Sequence, residues 1–184
     1  DTLKKRVMKN YLLLTLFTIM LTANLQVQSF AGLDKSPLDV TYARQGRSAQ
    51  PDAKIVYSRP QLKGRDLSQL APNGKIWRTG ANETTEITFY SSMKVGDKTV
   101  APGTYSLFSI PGKDSWTIIL NEQIHTWGAY TYDQSKDLVR ATASVSNSNN
   151  DIEAFSMNFQ PTDNGYTLFM GWGRKIASII FEKS

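Results

Sequence analysis

Apolar and polar residues alternate along Phe155–Phe159, where Phe155, Met157 and Phe159 are separated by Ser156 and Asn158. The same period of two carries Ile87 and Phe89 within Thr84–Tyr90, and Trp116, Ile118 and Leu120 in the next run. A two-residue period places one set of side chains on each face of a strand. Further strands are expected at Lys54–Tyr57, Met93–Val95, Lys98–Val100, Thr104–Ile110, Leu138–Val145, Tyr166–Trp172 and Lys175–Phe181. Turn residues punctuate them: Gly96-Asp97, Ala101-Pro102-Gly103, Pro111-Gly112 and Asp163-Asn164-Gly165. Asn147–Asp151 reads as a polar loop, and only Asp66–Leu70 suggests a turn of helix outside the N-terminal segment. Short strands between recurring turns predict an all-β domain. We expect a single antiparallel β-sandwich, jelly-roll-like or Greek-key, with a barrel as the alternative. That domain would span residues 54–184, preceded by a flexible arm or edge strand over 32–53.

The N-terminal pattern differs. Tyr11–Ala23 is an uncharged apolar run of 13 residues behind Met8-Lys9. A membrane-spanning helix needs about 20 such residues. A short apolar run after a positive start, followed by a small-x-small site at Ser29-Phe30-Ala31, is the pattern of a cleaved signal peptide. The leader is expected to cover residues 1–31, with a start at Met8 and cleavage after Ala31. The protein is then expected to be periplasmic or secreted, with no membrane span after leader cleavage.

Charge changes the picture only until the leader is set aside. The whole chain carries a net +5. Beyond residue 31 there are seventeen basic and fifteen acidic residues, a net +2. That balance removes the case for nucleic acid as a partner. There is no cysteine, which excludes disulfides, thiolate chemistry and a lipid anchor on an N-terminal Cys.

The densest candidate chemistry lies in Gly74–Glu83, GKIWRTGANE, which packs Lys75, Trp77, Arg78, Asn82 and Glu83 into one short loop. If Thr84–Tyr90 is one strand, extending its alternation back puts Glu83 on the core face with Ile87. A carboxylate there needs a partner. Arg78 is the first candidate, Arg59 the second, and Lys63, Lys75 and Arg65 lie nearby in sequence. Trp77, Trp127 and Tyr130 are candidates for an aromatic platform that stacks a sugar or flat ligand, against the alternative that they fill the core. Trp116 and Trp172 sit inside alternating strands and belong to the core. His125, the single histidine, is expected on a surface loop, since no G-x-S-x-G elbow accompanies it. One histidine without cysteine makes a zinc site improbable. Asp133–Asp137 opens like a calcium loop but has Leu138 and Ser144 where glycine and glutamate are required. No metal or cofactor is therefore expected.

Four motifs occur in order: YSRPQLKGR (Tyr57–Arg65), GKIWRTGANETTEITF (Gly74–Phe89), APGTYSLFSIPG (Ala101–Gly112) and WGAYTYD (Trp127–Asp133). With them the chain resembles the domain of unknown function 2911 family, from about residue 36 to the C-terminus. The resemblance implies an exported bacterial β-rich domain without an established activity. Three functions stay open. The first is a non-catalytic binding module for a glycan, envelope fragment or small polar ligand, through Arg59, Arg65, Trp77, Arg78, Asn82, Glu83, Trp127 and Tyr130. The second is a structural or protein-interaction domain of the envelope. The third is a hydrolase-like enzyme using Glu83.

Overall fold

The computed structural model describes residues 1–22 and 28–184, and side chains outside 13–27. It divides into two compact units, Asp1–Leu33 and Asp34–Ser184. The first holds one helix, α1 (Thr2–Thr22). Among the described residues no helix is long and apolar enough to cross a membrane. Part of the apolar run Tyr11–Ala23, including Ala23, lies outside the described residues.

The second unit is built from nine strands: β1 (Leu38–Ala43), β2 (Ala53–Ser58), β3 (Glu86–Phe89), β4 (Met93–Val95), β5 (Lys98–Val100), β6 (Gly103–Ile110), β7 (Ser115–Asn121), β8 (Asp137–Thr162) and β9 (Gly165–Lys183). A single turn of helix, α2 (Leu67–Leu70), interrupts them. All nine form one antiparallel sheet in the order β1-β2-β3-β6-β7-β8-β9-β4-β5. The β4–β5 hairpin leaves its place between β3 and β6 and pairs with the end of β9. The fold is all-β, as the alternation predicts. It is not the barrel held as the alternative, because β1 and β5 remain edges. The strand β1 lies within the polar stretch 32–53 and pairs along its whole length with β2.

Asn147–Asp151 is not the expected loop. Strand β8 runs on through it, with register breaks between Asn147 and Ile152 and between Ile152 and Ser156. Polar composition reads as loop, yet bulges let a polar strand bend without ending. Beyond the bulges the β8–β9 hairpin reaches the β2 side of the domain. Ala154 bridges Gln61, Phe155 N–H donates to Pro60 O at 2.9 Å, and Met157 N–H donates to Tyr57 Oη at 2.9 Å. Phe155, Phe159, Leu168, Met170 and Trp172 thereby share one core with Ile55, Tyr57, Ile87, Phe89, Trp116 and Ile118. Tyr57 meets Phe155 edge-on at 5.8 Å, and Phe159 meets Phe181 at 5.8 Å.

The far end is fastened by Asp52. Its carboxylate accepts from Tyr166 Oη and Ser91 Oγ and pairs with Lys183 Nζ at 2.7 Å. The start of β2 is thus tied to both ends of β9. Partial burial alone would raise the Asp52 pKa, but the bonds from Lys183 and Tyr166 and the Lys183 charge hold it below the ordinary carboxylate value. A carboxyl lowered on folding stabilises above its unfolded pKa of about 3.9 and loses that contribution as pH falls through its folded value. Asp52→Asn should therefore be less stable than the parent at pH 6, with a smaller gap at about pH 2. Denaturant unfolding at both pH values measures it. An equal gap at both would show that the charge on Asp52 contributes nothing.

Candidate functional site

Two loops build the site. The first, residues 74–85, is pinned by Trp77. Its N–H donates to Ser109 O at 2.8 Å, and Ser109 N–H returns a bond to Trp77 O at 2.9 Å. The Trp77 ring is 7% exposed and stacks on Trp172 at 5.5 Å, with Phe155 and Trp116 against its other sides. Trp77 is therefore core and not part of a platform, which corrects the expectation. Trp116 and Trp172 are buried as expected.

After Trp77 the chain turns sharply. Thr79 and Asn82 adopt left-handed φ values of 53° and 58°. Buried hydroxyls hold this geometry: Thr79 Oγ1 bonds Ser109 Oγ at 3.0 Å, and Thr85 Oγ1 donates to Thr79 O at 2.7 Å. Strained non-glycine residues persist only where the surroundings over-determine them, and they concentrate at functional sites.

The second loop, residues 122–133, is fastened to the first by backbone. Thr84 N–H donates to Thr126 O at 3.0 Å, Gly128 N–H donates to Asn82 O at 3.0 Å, and Glu83 bridges Trp127. Thr84 Oγ1 reinforces the junction through Gly128 O and Thr126 Oγ1.

This junction overturns the expectation for Glu83. The residue is exposed and forms no ion pair among the described residues. Strand β3 starts only at Glu86. Thr84 and Thr85 are both buried, so the alternation extended back from Ile87 fails before Glu83, which bridges Trp127 instead. Neither expected partner is engaged with it. Arg59 pairs with Asp39 at 3.1 Å and donates to Phe155 O and Ser156 Oγ, so it clamps β1 to β8. Arg65 donates to Leu62 O and Gln61 O and caps its own loop. Arg78 has no hydrogen-bond acceptor or counter-ion among the described residues, and its buried Nε is unpartnered. Its guanidinium lies 5.6 Å from the Trp127 ring centroid.

Trp127 and Tyr130, two of the three platform candidates, lie at the surface. Trp127 is 57% and Tyr130 79% exposed, and their rings stack at 5.7 Å with an interplanar angle of 7°. Gly128 lies between them with φ 72°.

Trp127 forms one wall of a cleft of about 810 Å³, with Asp34, Asn82, Glu83, Glu86 and His125 around it. Asp34 accepts from Ser36 N–H at 2.6 Å and Asn82 Nδ2 at 3.1 Å, and these bonds hold its carboxyl below the ordinary range. Glu86 Oε1 accepts from His125 N–H at 2.8 Å and lies 3.1 Å from His125 Nδ1. His125 is exposed and holds a φ of 59°. The lining contains three carboxylates and neither lysine nor arginine. Among the described residues no three His, Asp or Glu side chains are grouped to hold a metal ion.

Of the eight candidates, the structure gathers Arg78, Asn82, Glu83, Trp127 and Tyr130 at one loop junction. It sends Trp77 inward and commits Arg59 and Arg65 elsewhere. Sequence reasoning missed Asp34, Glu86 and a cleft position for His125. Glu86 carried a signal, because it alternates with Ile87 and so faces outward from β3. Asp34 carried none, since only the folded chain brings it to Asn82.

A Cβ at Gly128 would fall 2.7 Å from the Tyr130 ring and 3.1 Å from Arg78 Nη1, at a left-handed φ. Gly128→Ala is expected to cost about 1–2 kcal/mol from backbone strain. Gly46→Ala, with nothing within 4 Å, should stay within about 0.5 kcal/mol. Urea unfolding compares the two, and equal values would remove the constraint assigned to Gly128.

No curated protein and no solved structure matches the chain. A family model matches residues 36–181, and the loops described above fall within it. The chain belongs to the family described as Protein of unknown function (DUF2911).

Proposed function

We propose that this protein is an exported binding module that recognises a glycan or a related hydroxyl-rich envelope fragment at the Trp127 cleft. The observation that carries the reading is the exposed, stacked pair Trp127 and Tyr130 beside a cleft edged by carboxylates. Burying these rings would be favourable, so two stacked aromatics held in solvent suit a ligand that covers them. Sugar C–H groups lie against aromatic faces, and sugar hydroxyls donate to carboxylates such as Glu83 and Asp34. The lining charge disfavours anionic ligands. The fixed loop junction supports the same reading, because a rigid site loses less entropy on binding. Glu83 has no ion pair to anchor, which weakens a purely structural role for it.

A hydrolase reading is favoured by one specific observation: Glu83 and Glu86 line the same cleft. Glycoside hydrolysis uses two carboxylates facing one bond. Release of reducing ends from an oligosaccharide, lost in Glu83→Gln with binding retained, would establish it.

Thermal unfolding against cello-, chito- and xylo-oligosaccharides and peptidoglycan fragments tests the binding reading. A ligand at about 100 times its Kd should add roughly 2.7 kcal/mol, or about 5–10 °C in Tm for a domain of this size. Trp127→Ala should abolish the shift. No shift with any glycan, or a shift unchanged in Trp127→Ala, would contradict the proposal.

A further inference from the structure

Beside the cleft lies a second hollow of about 350 Å³, lined by Ile76, Trp77, Arg78, Tyr130, Leu70 and Trp172, with Pro60 and small residues completing it. Arg78 is the one charged residue in that lining. Its guanidinium has no carboxylate, carbonyl or hydroxyl partner among the described residues, and its buried Nε is unsatisfied. A guanidinium placed against apolar walls without a counter-ion is unfavourable, since a partly desolvated charge is stable only when paired and hydrogen-bonded. An unsatisfied buried donor in a native protein calls for an explanation, and a ligand that accepts from it is one.

The surrounding structure fixes Arg78 in this position. On its N-terminal side Trp77 is locked into the core by the two bonds to Ser109. On its C-terminal side Thr79 is held left-handed by its bond to Ser109. Its own carbonyl accepts from Thr85 N–H at 3.2 Å. The backbone at Arg78 is thus fixed, and Trp127 supports the guanidinium by a cation–π contact.

We propose that this hollow is a carboxylate subsite, distinct from the glycan cleft, that takes a monocarboxylate with a flat or apolar body. The planar fork of the guanidinium matches the two oxygens of a carboxylate. One positive charge balances one negative charge. A phosphate dianion would leave an unbalanced charge among apolar side chains, beside a neighbouring cleft that is already acidic. The exposed Tyr130 ring and the half-buried Leu70 and Ile76 give the body of such a ligand apolar surface to cover. This inference goes beyond the glycan reading: it shares Trp127 and Tyr130 with it and turns on Arg78, which the glycan reading does not use.

Calorimetric titration of the full chain with benzoate, benzamide and phenyl phosphate tests it. Benzamide has the shape of benzoate without the charge. Benzoate is expected to bind at least about tenfold more tightly than benzamide, a difference of about 1.4 kcal/mol. It should also bind more tightly than phenyl phosphate. Arg78→Gln should lower benzoate affinity to the benzamide level and leave benzamide unchanged, with near-ultraviolet circular dichroism confirming the fold. Equal binding of benzoate and benzamide to the parent protein would overturn the proposal, whatever happens to the folding of the variant. So would tighter binding of phenyl phosphate, or full benzoate affinity in a folded Arg78→Gln. Loss of the oligosaccharide response with benzoate binding intact would remove the glycan reading alone.

Discussion

The packing of Trp77, from the first loop, into the core is the interaction on which the site depends. Its ring fills space between Trp172, Phe155 and Trp116, residues from β9, β8 and β7. Its backbone is bonded in both directions to Ser109 of β6. One residue therefore ties the loop to three strands by packing and to a fourth by hydrogen bonds. Aromatic contacts of this kind add about 0.5–1.5 kcal/mol each beyond the area they bury. With Trp77 fixed, the following residue must point outward, and Arg78 reaches the Trp127 ring. The left-handed turns at Thr79 and Asn82 then follow from the buried hydroxyl bonds.

The sheet creates the space that Trp77 fills. Strands β8 and β9 are long enough to serve two places at once. Their inner halves continue the sheet from β7, and their outer halves reach the β2 side. The bulges after Asn147 make this possible, and the Asp52–Tyr166–Lys183 cluster holds the far end. Removing the bend would leave Phe155 and Trp172 without their partners and Trp77 without a pocket.

Much of the sheet was legible in the sequence because period-two alternation has a direct physical meaning. Ile87 and Phe89, the three alternating residues of β7, and Phe155, Met157 and Phe159 are all buried. Asn147–Asp151 misled because composition reports polarity and not hydrogen bonding, and a bulged strand needs only the latter. Glu83 misled for a related reason: alternation was extended back across Thr84 and Thr85, which are both buried, so the two-residue period stops before Glu83. Trp77 and Trp127 looked alike, each an aromatic next to glycine-containing turns. Only long-range pairing with Ser109 distinguishes the buried one. The Glu86–His125 contact and the Asp34–Asn82 bond join residues 39 and 48 positions apart, and no local pattern encodes such a distance.

The functional account rests on a rigid junction presenting two chemically opposed surfaces, an acidic cleft and an unpaired guanidinium, on either side of one exposed aromatic pair. Rigidity is its central claim. Amide hydrogen exchange at Trp77, Thr84, Thr85 and Gly128 tests it most directly, since each donates a backbone bond that defines the junction. The account predicts protection comparable to that of Ile118 and Leu120 in the middle of β7, opening only with global unfolding. Exchange at those four amides orders of magnitude faster than in β7 would mean that the loops open locally, and would contradict a preformed site.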